Sequence, residues 1–319
     1  MQWEKIFTVA VNETRIVLRE KTLLLLLFVF LLMTLFSVYI GWSTKTTILG
    51  VYQASLASLI HSGVTNLPPN PFMDIPALSI FKNMIIYVFL IGSLAAIVIG
   101  HRAFIRERKS AVTLLIFSKP VSKKTYIAGK IVGIIISLFL IVSITFLINL
   151  FSTFIIPQQQ LTMLEVAKLF SFYLVSLLYM LIFAMLGLFF AVILSNESLA
   201  LFMPVVIWVA VTFIFPELIT GQNPVALLNP VNIAQTTTQG TFFTTMQKVL
   251  FPISIEQHYT NLSQPLLEIQ KQFRNLSLME IAVRNGIFIF SLIFYFLLSL
   301  IGNLYGLNRY SAAKDKMHE

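Results

Sequence analysis

The sequence predicts an all-α polytopic membrane protein with six transmembrane helices. Three observations predict it. Hydrophobic residues make up 57% of the chain and charged residues only 11%, against roughly 25% charged in soluble domains. Six windows of about 19 residues are apolar enough to cross a bilayer. The 29 phenylalanines among 319 residues suit helix walls that face lipid. The net charge of +9 does not read as nucleic-acid binding. The cations flank the hydrophobic spans, where they set topology and attract anionic headgroups, so membrane lipids are the expected surface partner. The absence of cysteine excludes disulfides, thiolate chemistry and Cys-based metal sites.

The chain is expected to form one domain over 1–319. Segment 1–21 opens it as an interfacial helix. Ile6, Phe7, Ala10, Val11, Val17 and Leu18 recur at roughly helical spacing, and Glu4, Lys5, Glu13, Arg15 and Arg19 supply a charged face. The spans are 22–42, 80–100, 130–156, 169–194, 199–219 and 285–306, each long enough to cross about 30 Å of hydrocarbon at 1.5 Å per residue. The first is expected to remain as an anchor, because its apolar run exceeds a signal-peptide core. Asn196 and Glu197 make a tight hairpin of spans four and five. Pro204 and Pro216 predict a kink in span five. Segment 220–284 is too long for a structureless connection. It is expected to form short helices on the outer membrane face, with helix near 266–278. There Phe251, Ile253, Leu262, Leu266 and Phe273 would shield a cavity mouth or rest on lipid.

Orientation follows from Lys and Arg. Lys5, Arg15, Arg19 and Lys21 precede span one. Arg102, Arg106, Arg108, Lys109, Lys119, Lys123 and Lys124 follow span two, and Arg309, Lys314 and Lys316 follow span six. Between spans one and two only Lys45 appears, and between three and four only Lys168. Both termini and the 101–129 segment are therefore expected in the cytoplasm.

Inside the spans the middles are uncharged, with His101 and Glu217 at span ends. Ser143, Thr145, Asn149 and Ser176 read as helix-to-helix hydrogen bonds. Without a row of ionisable groups to relay ions, the driving energy is expected from outside the membrane. Small-residue stripes, Gly92-Ala96-Gly100 and Gly129-Gly133-Ser137, allow close helix approach within the chain or between subunits, as do Gly302 and Gly306. No P-loop, H-E-x-x-H or G-x-S-x-G pattern occurs. His61 and Asp74 share an outer segment and read as solvent-exposed residues rather than metal ligands. No catalytic, cofactor or metal site is expected in this chain.

Segment 101–129 carries the remaining signal. Arg102 to Lys109 extends span two as a charged helix, and Ala111 to Phe117 is an apolar run. Pro120 ends that run, and Ser122 is placed to cap the helix that becomes span three. The result is a short helix beneath the bilayer, ringed by Lys119, Lys123 and Lys124. A plain topology signal resting on headgroups is the other reading.

The order Glu107-Arg108, Leu114-Leu115, Ser118-Lys119-Pro120-Val121-Ser122-Lys123, Gly129-Lys130 resembles the cytoplasmic loop of ABC-2 type transporter permeases. That loop runs acidic-basic pair, Gly-Thr, leucines, Ser-x-Pro-Val-Ser-Arg and Gly-Lys. Glu13, Arg15 and Arg19 similarly resemble its N-terminal interfacial helix, and the six-span topology suits the branch serving copper-enzyme maturation and gliding motility. Ala111-Val112 replaces Gly-Thr, Lys123 replaces Arg and Asn12 replaces Lys, which leaves the substrate open. The resemblance implies a permease subunit of the cell membrane whose coupling helix seats in a separate ATP-binding subunit. ATP and magnesium would lie in that partner, and a second permease subunit would complete a homo- or heterodimer. Glu107, Arg108, Leu114, Leu115, Ser118, Pro120, Val121 and Lys123 are then the expected coupling residues. Gly92, Ala96, Gly100, Gly129 and Gly133 are the expected packing residues. A membrane anchor, assembly or immunity subunit without transport of its own is the second reading.

Overall fold

The structure, a computed structural model, describes residues 2–64, 66–69, 76–109, 122–156, 161–220 and 241–315. Among these the regular structure is all helical, and six helices are long and apolar enough to cross a membrane. The protein is a multi-pass membrane protein.

Helix α1 (Gln2–Arg19) is followed by α2 (Lys21–His61), whose 41 residues form one helix. At 1.5 Å per residue α2 is about 60 Å long, twice the hydrocarbon thickness. The polar run Ser43 to Thr47 reads as the end of span one, yet the helix continues through it. The Thr46 hydroxyl donates to the carbonyls of Trp42 at 3.1 Å and Ser43 at 2.9 Å, so the helix's own backbone absorbs that polarity.

Span two is assembled from a 3₁₀ turn (Ala77–Phe81), α3 (Asn83–Tyr87), a π-helical turn (Val88–Gly92) and α4 (Ser93–Lys109). Span three is α5 (Lys123–Ile155), and Ser122 accepts from the Thr125 N–H at 3.1 Å as its N-cap. Span four, α6 (Met163–Ile193), starts with a capping box between Thr162 and Glu165. Span five joins α7 (Glu197–Val209), a second π-helical turn (Ala210–Ile214) and α8 (Phe215–Thr220). This π turn ends two residues before Pro216, where proline removes a backbone donor.

Helix α6 is the axis of the bundle. It packs against α4, α5, α7 and the last span, α12 (Gly286–Asp315). The α4–α6 seam is the tightest: a Cβ at Gly100 would meet the Ala184 carbonyl, and one at Gly187 the Ile97 carbonyl. Gly306 of α12 abuts Ile193, and Arg108 bonds to the carbonyl end of α6. The C-terminal ends of α4, α6 and α12 therefore share one face with α1 and the start of α5. This is the terminal face; the distal face lies opposite.

Between spans five and six the chain forms α9 (Thr241–Leu250), a 3₁₀ turn (Phe251–Ile253), α10 (Ile255–Leu266), a 3₁₀ turn (Lys271–Phe273) and α11 (Leu278–Arg284). The helix expected near 266–278 lies earlier, at α10, and 267–277 is turns and a short 3₁₀ piece. Nine of the twelve α10 residues are buried, so this helix is inserted rather than laid on a surface. Tyr259 stacks on Tyr179 with ring centroids 4.4 Å apart, and Tyr179 is the seventeenth of the 31 residues of α6. Helix α10 thus reaches half-way along the central span.

Candidate functional site

The terminal face holds a buried ion network. Helix α1 turns Ala10, Glu13, Thr14 and Val17 inward onto α5. Glycine makes the approach possible: a Cβ at Gly129 would lie 2.6 Å from Val9 Cβ, and one at Gly133 2.6 Å from Glu13 Cβ. Seated this way, the Glu13 carboxylate meets Lys130 Nζ, which also bonds to the Glu107 carboxylate at the end of α4. The Tyr126 hydroxyl donates to the second Glu107 oxygen. Arg106 donates to Glu13 at 2.8 Å, and Arg102 pairs with Glu20 at 3.1 Å.

Lys130 and Glu13 are each 1% exposed. Burying such charges is tolerated only when each has partners and the total balances. Here Glu13, Glu20 and Glu107 face Arg102, Arg106 and Lys130. The sequence reading puts Glu13 on the charged, outward face of α1. It is instead turned inward, because the buried ammonium of Lys130 needs a carboxylate there. A lysine at the start of an apolar span was the available signal.

The network joins α1, α4 and α5, and α4 and α5 are the two stems of segment 110–121. Arg108 belongs to the same structure. It donates to the carbonyls of Leu194 and Ser195, both at 2.7 Å, and of Ala191 at 3.3 Å, satisfying carbonyls that α6 leaves open at its end. Glu107 and Arg108 are thus engaged within the chain. Arg15 and Arg19 are exposed on α1. Leu114, Leu115, Ser118, Pro120 and Val121 lie outside the described residues, as do Asp74 and the side chain of Lys123. The packing glycines have partners inside the chain: Gly92 faces Met180 and Phe30, Gly100 faces α6, and Gly129 and Gly133 face α1, while Ala96 is fully buried.

The distal face carries a second set of buried polar groups. Lys168 pairs with Glu268 at 2.5 Å and donates to the Arg274 carbonyl at 3.3 Å. Glu268 sits in the left-handed region at φ 50°, and burial pushes its carboxyl up despite the lysine. Deeper, α10 carries Glu256, 1% exposed. Thr260 donates to its Oε1 at 2.7 Å, while Oε2 has no hydrogen-bond partner. Burial pushes this carboxyl up to about 7, against the opposing pull of the Thr260 hydroxyl. Glu256 is not legible as a buried charge in the sequence, because it lies in the polar connection between spans five and six.

Six membrane-crossing helices, a terminal-face ion clamp that joins the two helices flanking residues 110–121, and a helix inserted from the distal side define a polytopic membrane protein built around a central helix. Residues 7–309 match the model of the ABC-2 family transporter proteins, and the chain belongs to this family. No curated protein matches the chain.

Proposed function

We propose that this chain is the permease subunit of an ABC transporter, with the terminal face in the cytoplasm and segment 110–121 docked on a separate ATP-binding subunit. ATP and magnesium lie in that partner, which performs the hydrolysis, and a second permease subunit completes the path. The observation that carries this reading is the Glu13–Lys130–Glu107 network. It locks α4 and α5, the helices that flank segment 110–121, to each other and to α1, so a push on that segment would move three helices as one body. The cations of the terminal face, among them Lys5, Arg15, Arg19, Arg102 and Arg106, support the orientation.

The test is Leu115→Asp in the chain co-reconstituted with a candidate ABC ATP-binding subunit from the same source. The expected result is normal insertion, loss of transport, and ATP hydrolysis that no longer responds to candidate substrates. Unchanged transport would sink the coupling role. Failure of the unaltered chain to copurify with any such ATPase would favour an anchor or assembly subunit.

A further inference from the structure

Native proteins leave few buried polar atoms unmatched, so one left unmatched calls for an explanation. Around α10 the Glu256 Oε2 is buried and without a hydrogen-bond partner, and the buried hydroxyls near it are turned to one another, Tyr179 to Thr212 and Tyr259 to Ser263. They come from three elements that pack together: α10, α6 and the π-helical turn of span five.

The groups facing Glu256 are hydroxyls. From α6 comes Tyr179, within electrostatic reach of the carboxyl and beside Thr212. From α10 come Thr260 and Tyr259, whose hydroxyl pairs with Ser176 at 2.9 Å. His258 points elsewhere, its Nε2 3.2 Å from the Pro252 carbonyl and its ring against Phe251 and Phe288. Tyr295 of α12 donates to that same carbonyl at 2.5 Å. On α11, Glu280 is exposed and closes a capping box with Ser277, and Arg284 is exposed. Lys168 and Glu268 are engaged with each other. Among the described residues, no cation bonds to Glu256.

A carboxylate so placed would be an uncompensated buried charge, costing several kcal/mol. The neutral acid removes that cost, and the hydroxyls around it can accept from its O–H as readily as they donate to it. We propose that Glu256 is a proton-binding site inside the bundle: α10 is seated while the acid is neutral, and loss of the proton drives α10 off α6 toward water, opening the distal side. One acid without a relay through the six spans does not carry protons across, so this is a gate and independent of the ATPase reading.

Three measurements on the full chain in nanodiscs test the site. The acid's ordinary value is 4.5 and its folded value about 7. The folded state therefore holds the proton after the unfolded state has lost it, and stability must fall as pH rises between these values. The folding equilibrium of the unaltered chain is expected to weaken by up to about tenfold per pH unit there, relative to Glu256→Gln, and to level off above. An identical pH dependence in both overturns the proposal.

Second, the infrared C=O band of a protonated acid should be present near pH 6, fade by about pH 9, and shift in Tyr179→Phe. This readout needs no Glu256 variant, and an absent band overturns the proposal. Third, because the chain has no cysteine, Ser263→Cys gives a single probe for an impermeant maleimide. Labelling should rise with pH about tenfold per unit faster than in the same variant carrying Glu256→Gln. Equal labelling counts against gating. Stabilisation by sodium that vanishes in Glu256→Gln would assign the site to a metal cation and overturn the proton.

Discussion

Lys130 shows what a buried charge demands of its neighbours. Its ammonium is 1% exposed, and its partners, Glu13 and Glu107, come from two other helices. Lys130→Met removes the cation and leaves Glu107 buried with the Tyr126 hydroxyl, while Glu13 keeps Arg106. The expected loss is about 3–5 kcal/mol, the usual cost of breaking one side of a buried pair. Adding Glu107→Gln to that variant should recover part of it, since the stranded charge is then gone. A double-mutant cycle on reversible unfolding checks this, and additive losses would show that the two groups do not share one network. Trp208 makes a smaller case. Its indole N–H donates to Ser93 Oγ at 2.6 Å and to the Phe89 carbonyl at 3.2 Å, in the π-helical turn of span two. Trp208→Phe should cost about 1–2 kcal/mol beyond its lost area by the same assay.

Among the elements, α1 and α2 show two ways in which helices depend on details of contact. Helix α1 rests on α5 only because Gly129 and Gly133 lack side chains. Gly133→Ala places a carbon 2.6 Å from Glu13 Cβ and 3.0 Å from the Ala10 carbonyl, so α1 must lift and Glu13 must leave Lys130. Hydrogen exchange in α1 should rise by an order of magnitude or more, and unchanged exchange would show that α1 does not depend on this seam. Helix α2 predicts a length: spin labels at Ser43 and His61 should lie about 27 Å apart along one helix axis.

These two helices also mark where sequence reading succeeds and stops. The six spans were legible because 20 apolar residues admit few alternatives in lipid. The continuation of α2 was not, because Ser43 to Thr47 is polar by composition while Thr46 is satisfied locally. The partners of Lys130 were not legible either, since pairing across 117 residues depends on which helix packs where. Segment 101–129 stood out from its cations and proline, but Glu107 and Arg108 are held inward by groups that only the fold brings near.

Across the whole molecule, α6 is the element through which the two faces can influence each other. The ion clamp holds α4, α4 meets α6 along the Gly100–Gly187 seam, and α10 is seated on the middle of α6 at Tyr179. A disturbance on one face reaches the other only if that seam is rigid, because packed helices transmit strain where backbone touches backbone. Gly187→Ala is the direct probe. The added methyl would collide with the Ile97 carbonyl and crowd the His101 N–H at 3.1 Å, and backbone on a clamped helix cannot step aside cheaply. Overpacking of this kind typically costs about 1–3 kcal/mol. Its signature here should be a joint loss of hydrogen-exchange protection in α4, α6 and α10, with Tyr259 freed from Tyr179. Gly302→Ala is the matched control: its methyl would find only the Phe189 ring at 3.7 Å, an ordinary contact, and protection should be unchanged. If Gly187→Ala loosens α4 alone, the seam does not link the faces, and α10 responds to its own acid rather than to the clamp.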